Sequence, residues 1–446
     1  MDRKKIFTAG FWILGAFGLS QLLRLGSNLI VTRLLAPEMF GLMAIVQVVL
    51  HGIGMFSDLG LWAFIVRNKE GTNKKLLDTV WTIQVIRGWL IFLIVGVLAG
   101  ALVFISEVLN IDIGAIYGDE QLPLLLIIVG LTAVITAHKT MAPAIESREL
   151  NRGRLEVIDL ISQICGISMM LSIAWNFHSI WALVSAGVVA KMVNVVLTYK
   201  LFSYRHQFAW NKEIVKEVFT FGKWIVGASV LSYLALQGDK LIFASYVSAS
   251  ELGVYSIAFM LAGVVSSILD KLTSKIGLPV FSRIVAESPG KLKDKYYFIR
   301  LRQDFIVFTL IGGLIAIAPT LIDFLYDDRY YDAGWILQIL SISLVGFVMT
   351  RLGLSCLTAL GCTKIRMHIM LVKSLMIFIG LPILLNKYGL EGAVWGVTLS
   401  AFVGIPIQYV EMNRKGVFSF IKEVRVLPVV GISYFLSTYI LTVLFL

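Results

Sequence analysis

The chain has 446 residues, of which 58% are hydrophobic and only 15% are charged. Soluble domains carry about 25% charged residues, so this composition excludes an ordinary soluble protein and indicates many membrane crossings. The net charge of +11 does not indicate a nucleic-acid partner, because the basic residues are spread over short loops between apolar segments.

Apolar stretches long enough to cross a bilayer recur along the whole chain. The pattern predicts thirteen helical spans, at 8–33, 39–66, 81–105, 122–147, 157–176, 179–202, 219–247, 251–275, 303–326, 334–361, 365–386, 391–411 and 426–446. The basic start followed by a long apolar run is typical of an uncleaved signal-anchor. We therefore expect an all-α integral membrane protein.

The loops between the predicted spans differ in charge. Most of the 39 Lys and Arg residues lie in the amino terminus and in alternate loops, whereas the opposite loops contain only Arg33, Arg329 and Lys387. By the positive-inside rule the basic loops lie in the cytoplasm. This places the amino terminus in the cytoplasm and, after the last span, the carboxyl terminus outside.

The two halves of the chain resemble each other. LIVTRLLAPEMFGLMAI (29–45) aligns without gaps with LIFASYVSASELGVYSI (241–257), an offset of 212 positions that also pairs Lys139 with Arg351. Each half contains six spans, an even number, so both halves enter the membrane from the same side as parallel repeats. Matches between apolar helices arise easily, so the paired charged residues are the stronger support for a duplication.

The repeat predicts the domain organisation. We expect one six-helix bundle over residues 1–210, a second over 211–412, and an extra transmembrane segment over 413–446. Two bundles that face each other leave a cleft near the middle of the membrane, which is typical of alternating-access transporters.

Several cations interrupt the apolar spans. The candidate substrate-binding residues are Arg24, Asn28, Lys139, Lys191, Lys240 and Arg351. A cation near the bilayer centre costs roughly 2.5–3.5 kcal/mol on insertion scales, so these side chains are expected to face a cavity. Arg87 and Lys200 lie nearer to the ends of predicted spans and are expected to reach the membrane surface instead.

A cleft lined by cations favours an anion. Guanidinium and ammonium groups bind phosphate oxygens through charge-assisted hydrogen bonds, so the residues alone support an anionic solute or an anionic lipid head group. Cys165, Cys356 and Cys362 have no metal-ligand spacing, and no metal site is expected. The chain has no Walker A motif to indicate use of ATP.

Two acidic residues, Asp58 and Asp270, occupy equivalent positions in the repeat. One interpretation is a salt bridge with a cation of the same bundle. The other is a site that couples transport to a proton or sodium gradient. Beyond such a counter-transported ion, no cofactor is expected.

Several stretches resemble one family of transporters. They are TRLLAPEMFGLMAIVQVV (32–49), FSDLGL (56–61), GDKLIFASYVSASELGVYSIAFML (238–261), LPVFSRI (278–284), TALGCTKIRMHI (358–369) and YGLEGAVWG (388–396). Together, in this order, they resemble the polysaccharide-transporter branch of the MOP flippase superfamily, which contains the O-antigen and exopolysaccharide flippases.

The resemblance implies a fold of two six-helix lobes around a basic central cavity that receives a pyrophosphate. It implies that a polyprenyl-pyrophosphate-linked oligosaccharide is flipped across the cytoplasmic membrane of a bacterium or an archaeon, for surface polysaccharide built with other assembly proteins. Family members typically have an even number of spans, and the thirteen predicted here depart from that pattern.

Other readings remain open. A multidrug exporter of the same superfamily would share the fold, but its cationic substrates favour an acidic or aromatic lining. A membrane polysaccharide polymerase or ligase usually carries a large outer loop, whereas the longest here is about 107–121. A major-facilitator transporter would also have six plus six spans, but its usual basic signature is not evident at 66–79.

Overall fold

The computed structural model describes residues 3–56, 59–68, 71–109, 111, 114–149 and 153–445. Within these residues the regular structure is helical throughout, with no strand. The expectation of an all-α membrane fold is therefore confirmed.

Seventeen α-helices lie within the described residues. In chain order they are α1 (Arg3–Leu34), α2 (Pro37–Phe56), α3 (Leu61–Arg67), α4 (Lys74–Val103), α5 (Leu122–Ala137), α6 (Ala142–Arg148), α7 (Gly153–Phe177), α8 (Trp181–Leu201), α9 (Lys212–Tyr246), α10 (Ala249–Glu287), α11 (Leu292–Leu325), α12 (Ala333–Ala359), α13 (Lys364–Leu375), α14 (Leu381–Ser400), α15 (Gly404–Arg414), α16 (Phe420–Val424) and α17 (Pro428–Phe445). Short π-helical turns follow α4 and α13.

Ten helical runs in the described part of the chain are long and apolar enough to cross a membrane, or eleven if the bent pair α5 and α6 forms one span. This is fewer than the thirteen predicted. The predicted spans 365–386 and 391–411 both fall within the run Lys364–Arg414, which is interrupted at Gly389, where φ is 62°. The predicted span 8–33 lies within α1, which is not one of the ten.

The helix boundaries follow the sequence repeat. Leu34 and Tyr246, the last residues of α1 and α9, are 212 positions apart. The same distance separates Pro37 and Ala249, the first residues of α2 and α10. Helices that begin and end at equivalent positions support two copies of one structural repeat.

The two equivalent helix starts use different chemistry. Helix α2 begins with Pro37. Proline is favoured at this position because a backbone N–H in the first turn would have no partner within the helix, so its absence costs nothing. Helix α10 begins after a capping box, in which Ser248 and Glu251 accept hydrogen bonds from each other's backbone N–H at 3.2 Å and 2.8 Å. The proline removes one of the N–H donors that a helix start leaves unpaired, and the capping box satisfies two of them.

The chain divides into two compact units. Unit 1 comprises Met1–Tyr233 with Val247–Leu252, and unit 2 comprises Leu234–Tyr246 with Gly253–Leu446. Helix α9 contributes to both units, so the predicted boundary after residue 210 stays a prediction.

In unit 1, α7 packs against α1 and α8, while α5 packs against α4 and α8. Gly88 of α4 lies directly against Ala133 and Ala137 of α5, where a side chain would collide with both. Small residues at such a contact let two membrane helices approach closely. This close approach places α4 beside the end of α5.

In unit 2, α11 packs against α12 and α17. Phe308, Ile311 and Val345 are buried in the core that these helices share. The hydroxyl of Ser433 on α17 donates to the Thr309 carbonyl of α11 at 2.6 Å. The predicted last span therefore exists as a helix and belongs to unit 2.

Candidate basic cavity

The fourth predicted span of unit 1 is broken. Helix α5 ends at Ala137, α6 starts at Ala142, and the two are bent by 56°. Lys139, one of the predicted site residues, lies in the break. Non-helical backbone at membrane depth is tolerated only where protein buries it or where it lines a water-filled cavity.

Side chains from neighbouring segments satisfy the backbone groups of this break. The amide of Gln84 on α4 donates to the Ala137 and Lys139 carbonyls at 2.8 Å and 3.1 Å. The hydroxyl of Tyr199 on α8 donates to the His138 carbonyl at 2.7 Å. These bonds replace the intrahelical ones that the bend removes, so the break is a fixed conformation.

A cavity of about 700 Å³ adjoins the break. Its polar lining includes Gln47, His51, Gln84, Arg87, Thr132, Thr136, Lys139, Thr140 and Lys191. Lys139 and Lys191, predicted from different spans, are therefore brought together, and their positive charges repel each other. No Asp or Glu is found among the described lining residues, so the cavity is basic.

Arg87 also lines this cavity, and the expectation that it reaches the membrane surface is wrong. Helix α4 begins at Lys74, so Arg87 lies roughly three and a half turns inside it. Its Nη2 donates to the Gly54 carbonyl in the last turn of α2 at 2.7 Å. A correctly placed start for this helix would have added Arg87 to the candidate residues.

Unit 2 contains a second cluster around Lys240. The Lys240 ammonium donates to Gln237 at 3.0 Å and lies 3.9 Å from the centre of the Phe259 ring, a cation–π contact. The adjacent Asp239 is 2% exposed and accepts a hydrogen bond from the Tyr255 hydroxyl. Lys240 is therefore held within a buried polar group of its own unit.

Arg351 and Asp270 form an ion pair within unit 2. Arg351 also lies 5.3 Å from the centre of the Phe347 ring. The geometry agrees with the salt-bridge interpretation of Asp270, and a coupling role for this residue stays a prediction. Asp58 lies outside the described residues.

The first span places its two candidates differently. Arg24 is exposed on α1, and its guanidinium has no hydrogen-bond or ion-pair partner among the described residues. Asn28, one turn later, is half-buried. Helix α1 is attached to α7 by Ser20, whose hydroxyl donates to Gln163 at 2.6 Å. Neither Arg24 nor Asn28 lines the 700 Å³ cavity.

Comparison with known proteins identifies the family. A family profile of polysaccharide biosynthesis proteins matches residues 30–334. The chain belongs to that family. This polysaccharide biosynthesis protein is 22% identical over 413 residues to the lipopolysaccharide biosynthesis protein WzxC of Escherichia coli K12, covering 91% of this chain and 77% of WzxC.

Two solved structures show the same fold. The lipid II flippase MurJ, in an inward closed conformation, matches with a TM-score of 0.68 at 13% identity, over 97% of this chain and 98% of MurJ. An inward-facing multidrug resistance transporter of the MATE family matches with a TM-score of 0.66 at 15% identity, over 90% of this chain and 96% of that chain. The polysaccharide biosynthesis protein therefore has the fold of the MOP superfamily.

The family and the fold together define the kind of protein. The chain is a multi-pass membrane protein of polysaccharide biosynthesis with the fold of the MOP superfamily. Its relatives include a succinoglycan biosynthesis transport protein of Rhizobium meliloti. Another relative is a putative O-antigen transporter of Shigella flexneri, and these names favour a transporter over the polymerase and ligase alternatives.

Proposed function

We propose that the protein translocates a polyprenyl-pyrophosphate-linked oligosaccharide from the cytoplasmic to the outer leaflet by alternating access of its two repeats. The cations of unit 1 bind the pyrophosphate, and Arg24, Asn28, Lys240 and Arg351 supply further polar contacts along the path. The amino terminus lies in the cytoplasm and the carboxyl terminus lies outside. Other polysaccharide assembly proteins receive the translocated unit.

The observation that carries this proposal is the basic cavity of unit 1. Arg87, Lys139 and Lys191 reach it from three different segments, and no described lining residue is acidic. A pyrophosphate offers several oxygens to guanidinium and ammonium donors, and these bonds strengthen where water is scarce. Neighbouring cations repel one another, and a bound anion offsets that repulsion. Asp159 interacts favourably with Lys139 but is not among the lining residues of the cavity.

The multidrug exporter is the competing function of the same fold. A cavity that binds organic cations needs carboxylates or unobstructed aromatic faces. Among the described lining residues Trp62 is the one large aromatic side chain, and Arg87 and Lys191 would repel a cation there. The charge of the lining thus favours an anionic substrate.

The test is translocation of a fluorescent polyprenyl-pyrophosphoryl oligosaccharide in proteoliposomes. Lys191→Gln removes a cation that lines the cavity, whereas Lys200→Gln removes a cation of the same helix that does not line it, and both side chains are exposed. We expect transport by the wild type and by Lys200→Gln, and a loss of about tenfold or more in Lys191→Gln. If the folded wild type does not move this lipid but expels a cationic dye, the exporter is the correct function.

A further inference from the structure

The loop between α8 and α9 is attached to the broken span through His206. Nε2 of His206 accepts a hydrogen bond from the Met141 backbone N–H at 3.0 Å, and it lies 3.1 Å from the Thr140 hydroxyl. Nδ1 lies 3.2 Å from the carboxylate of Asp78 on α4. The ring stacks on Trp81 with 5.9 Å between ring centres.

These contacts fix the protonation state of the ring. A nitrogen that accepts from a backbone N–H carries no proton, so Nε2 is the bare nitrogen and Nδ1 carries the hydrogen that is donated to Asp78. Protonation at Nε2 would bring two N–H donors face to face at Met141. The hydrogen bonds of His206 with Met141 and Asp78 therefore require a neutral histidine.

The contact with Met141 has a direct consequence for Lys139. Met141 is the last residue of the break, two positions after Lys139, and its N–H is the donor that His206 satisfies. Gln84 holds the other side of the break through the Lys139 carbonyl. Lys139 thus lies between two anchoring bonds, one from α4 and one from the loop after α8.

We propose that His206 is a positioning residue that, in its neutral form, holds the break in the conformation that presents Lys139 to the cavity, and that protonation of His206 releases it. The inference rests on the proposed function only in taking Lys139 as a substrate-binding group. Histidine is suited to this role because its charge changes near physiological pH.

The direction of the pH effect follows from burial. Burial lowers the pKa of His206 from its usual 6.5, and the neighbouring Asp78 opposes this shift. The pKa of His206 is lower in the folded protein than in the unfolded chain. The contribution of the neutral ring to folding stability is therefore complete above pH 6.5, and it is lost as the pH falls through the pKa of the folded protein. Asp78 is the titratable group in contact with the ring. Trp81, on which the ring stacks, also contacts His138 and interacts with Tyr199, which is close to Arg205. Tyr204, two residues before His206, is close to Glu149 and Glu146.

The test measures the accessibility of position 139 and not transport. In a background lacking Cys165, Cys356 and Cys362, single cysteines at Lys139→Cys and Lys191→Cys are labelled with a water-soluble thiol reagent. Lys191 lines the same cavity from the continuous helix α8, so the ratio of the two rates corrects for thiol ionisation. Because protonation of His206 releases the conformation that presents position 139 to the cavity, we expect this ratio to fall about threefold between about pH 7.5 and about pH 5.5.

His206→Gln is the decisive variant. Glutamine can accept from Met141 and donate to Asp78 without titrating, so the ratio should stay at its high-pH value throughout. A ratio that does not change with pH in the His206 protein overturns the proposal, as does the same pH step in His206→Gln. Because labelling needs no substrate, its outcome is separate from the success or failure of the translocation assay.

Discussion

Nη1 of Arg300 on α11 lies 2.7 Å from Oε2 of Glu423 on α16, and both side chains are fully buried. Nε of Arg300 lies 3.1 Å from Asp304 one turn further along α11. The hydroxyl of Tyr297 donates to the second oxygen of Glu423 at 3.0 Å. This network fixes α16, the short helix before α17, to α11.

Removing the cation of this network should destabilise unit 2 strongly. Arg300→Met leaves two buried carboxylates without the cation that pairs with them, and we expect a loss of about 3–5 kcal/mol. The matched control is Arg283→Met, which breaks an ion pair of the same i,i+4 spacing whose side chains are 77% and 60% exposed. Exposed pairs contribute about 0–1 kcal/mol. Unfolding in detergent measures the free energy of unfolding of both variants. Equal losses of stability would show that burial of the ion pair is not the cause.

The ion pair of Asp270 and Arg351 leads to a prediction about coupling. Asp270→Asn leaves Arg351 without its anion, and we expect that either this variant or the repeat-equivalent Asp58→Asn loses stimulation by an imposed pH or sodium gradient. Asp294→Asn changes an exposed carboxylate and serves as the control. Gradient-driven transport in proteoliposomes that is unchanged in both variants would exclude a coupling role for these aspartates.

The close approach of α4 and α5 should not tolerate an added methyl group. Gly88→Ala places a Cβ against Ala137 and the Ala133 backbone, next to the break, whereas Gly96→Ala on the same helix meets nothing within 4 Å. We expect the first to destabilise by about 1–3 kcal/mol and the second to have little effect. Thermal unfolding in detergent distinguishes them, and equal melting temperatures would contradict the packing argument.

Arg24 is predicted to act on the substrate without lining the unit 1 cavity. Arg24→Ala should fold and insert but lose translocation of the pyrophosphate lipid, and Arg24→Lys should retain part of it because the charge remains while the planar fork of donors is lost. The fluorescent-lipid assay measures both variants, and normal transport by Arg24→Ala would remove this residue from the site.

The predicted orientation can be checked at two exposed positions. Lys415 follows α15 in a basic loop that we expect in the cytoplasm, and Asp328 lies in an acidic loop that we expect outside. An impermeant thiol reagent applied to whole cells should label Asp328→Cys rapidly and Lys415→Cys only after the membrane is opened. The reverse result would invert the topology and the proposed direction of transport.

Charged residues within long apolar runs were the most predictable part of the site. Lys139 and Lys191 are visible in the sequence because a cation in a membrane span is costly and therefore rare. Arg87 was missed because α4 begins seven residues before the predicted span 81–105. The break at 138–141 was also missed, although Pro143 indicates it, since proline is favoured in the first turn of a new helix and not in the interior of a continuous one.

The sequence by itself determined the helical class, the membrane environment and the internal repeat, because each depends on hydropathy and spacing along the chain. Only the tertiary structure decided which cations share a cavity and which are paired with a carboxylate. Lys139 and Arg351 are equivalent in the repeat, yet one lies in a broken helix beside a cavity and the other is paired with Asp270. That difference arises from contacts between distant segments, such as Gln84 with the Lys139 carbonyl, which no local pattern encodes.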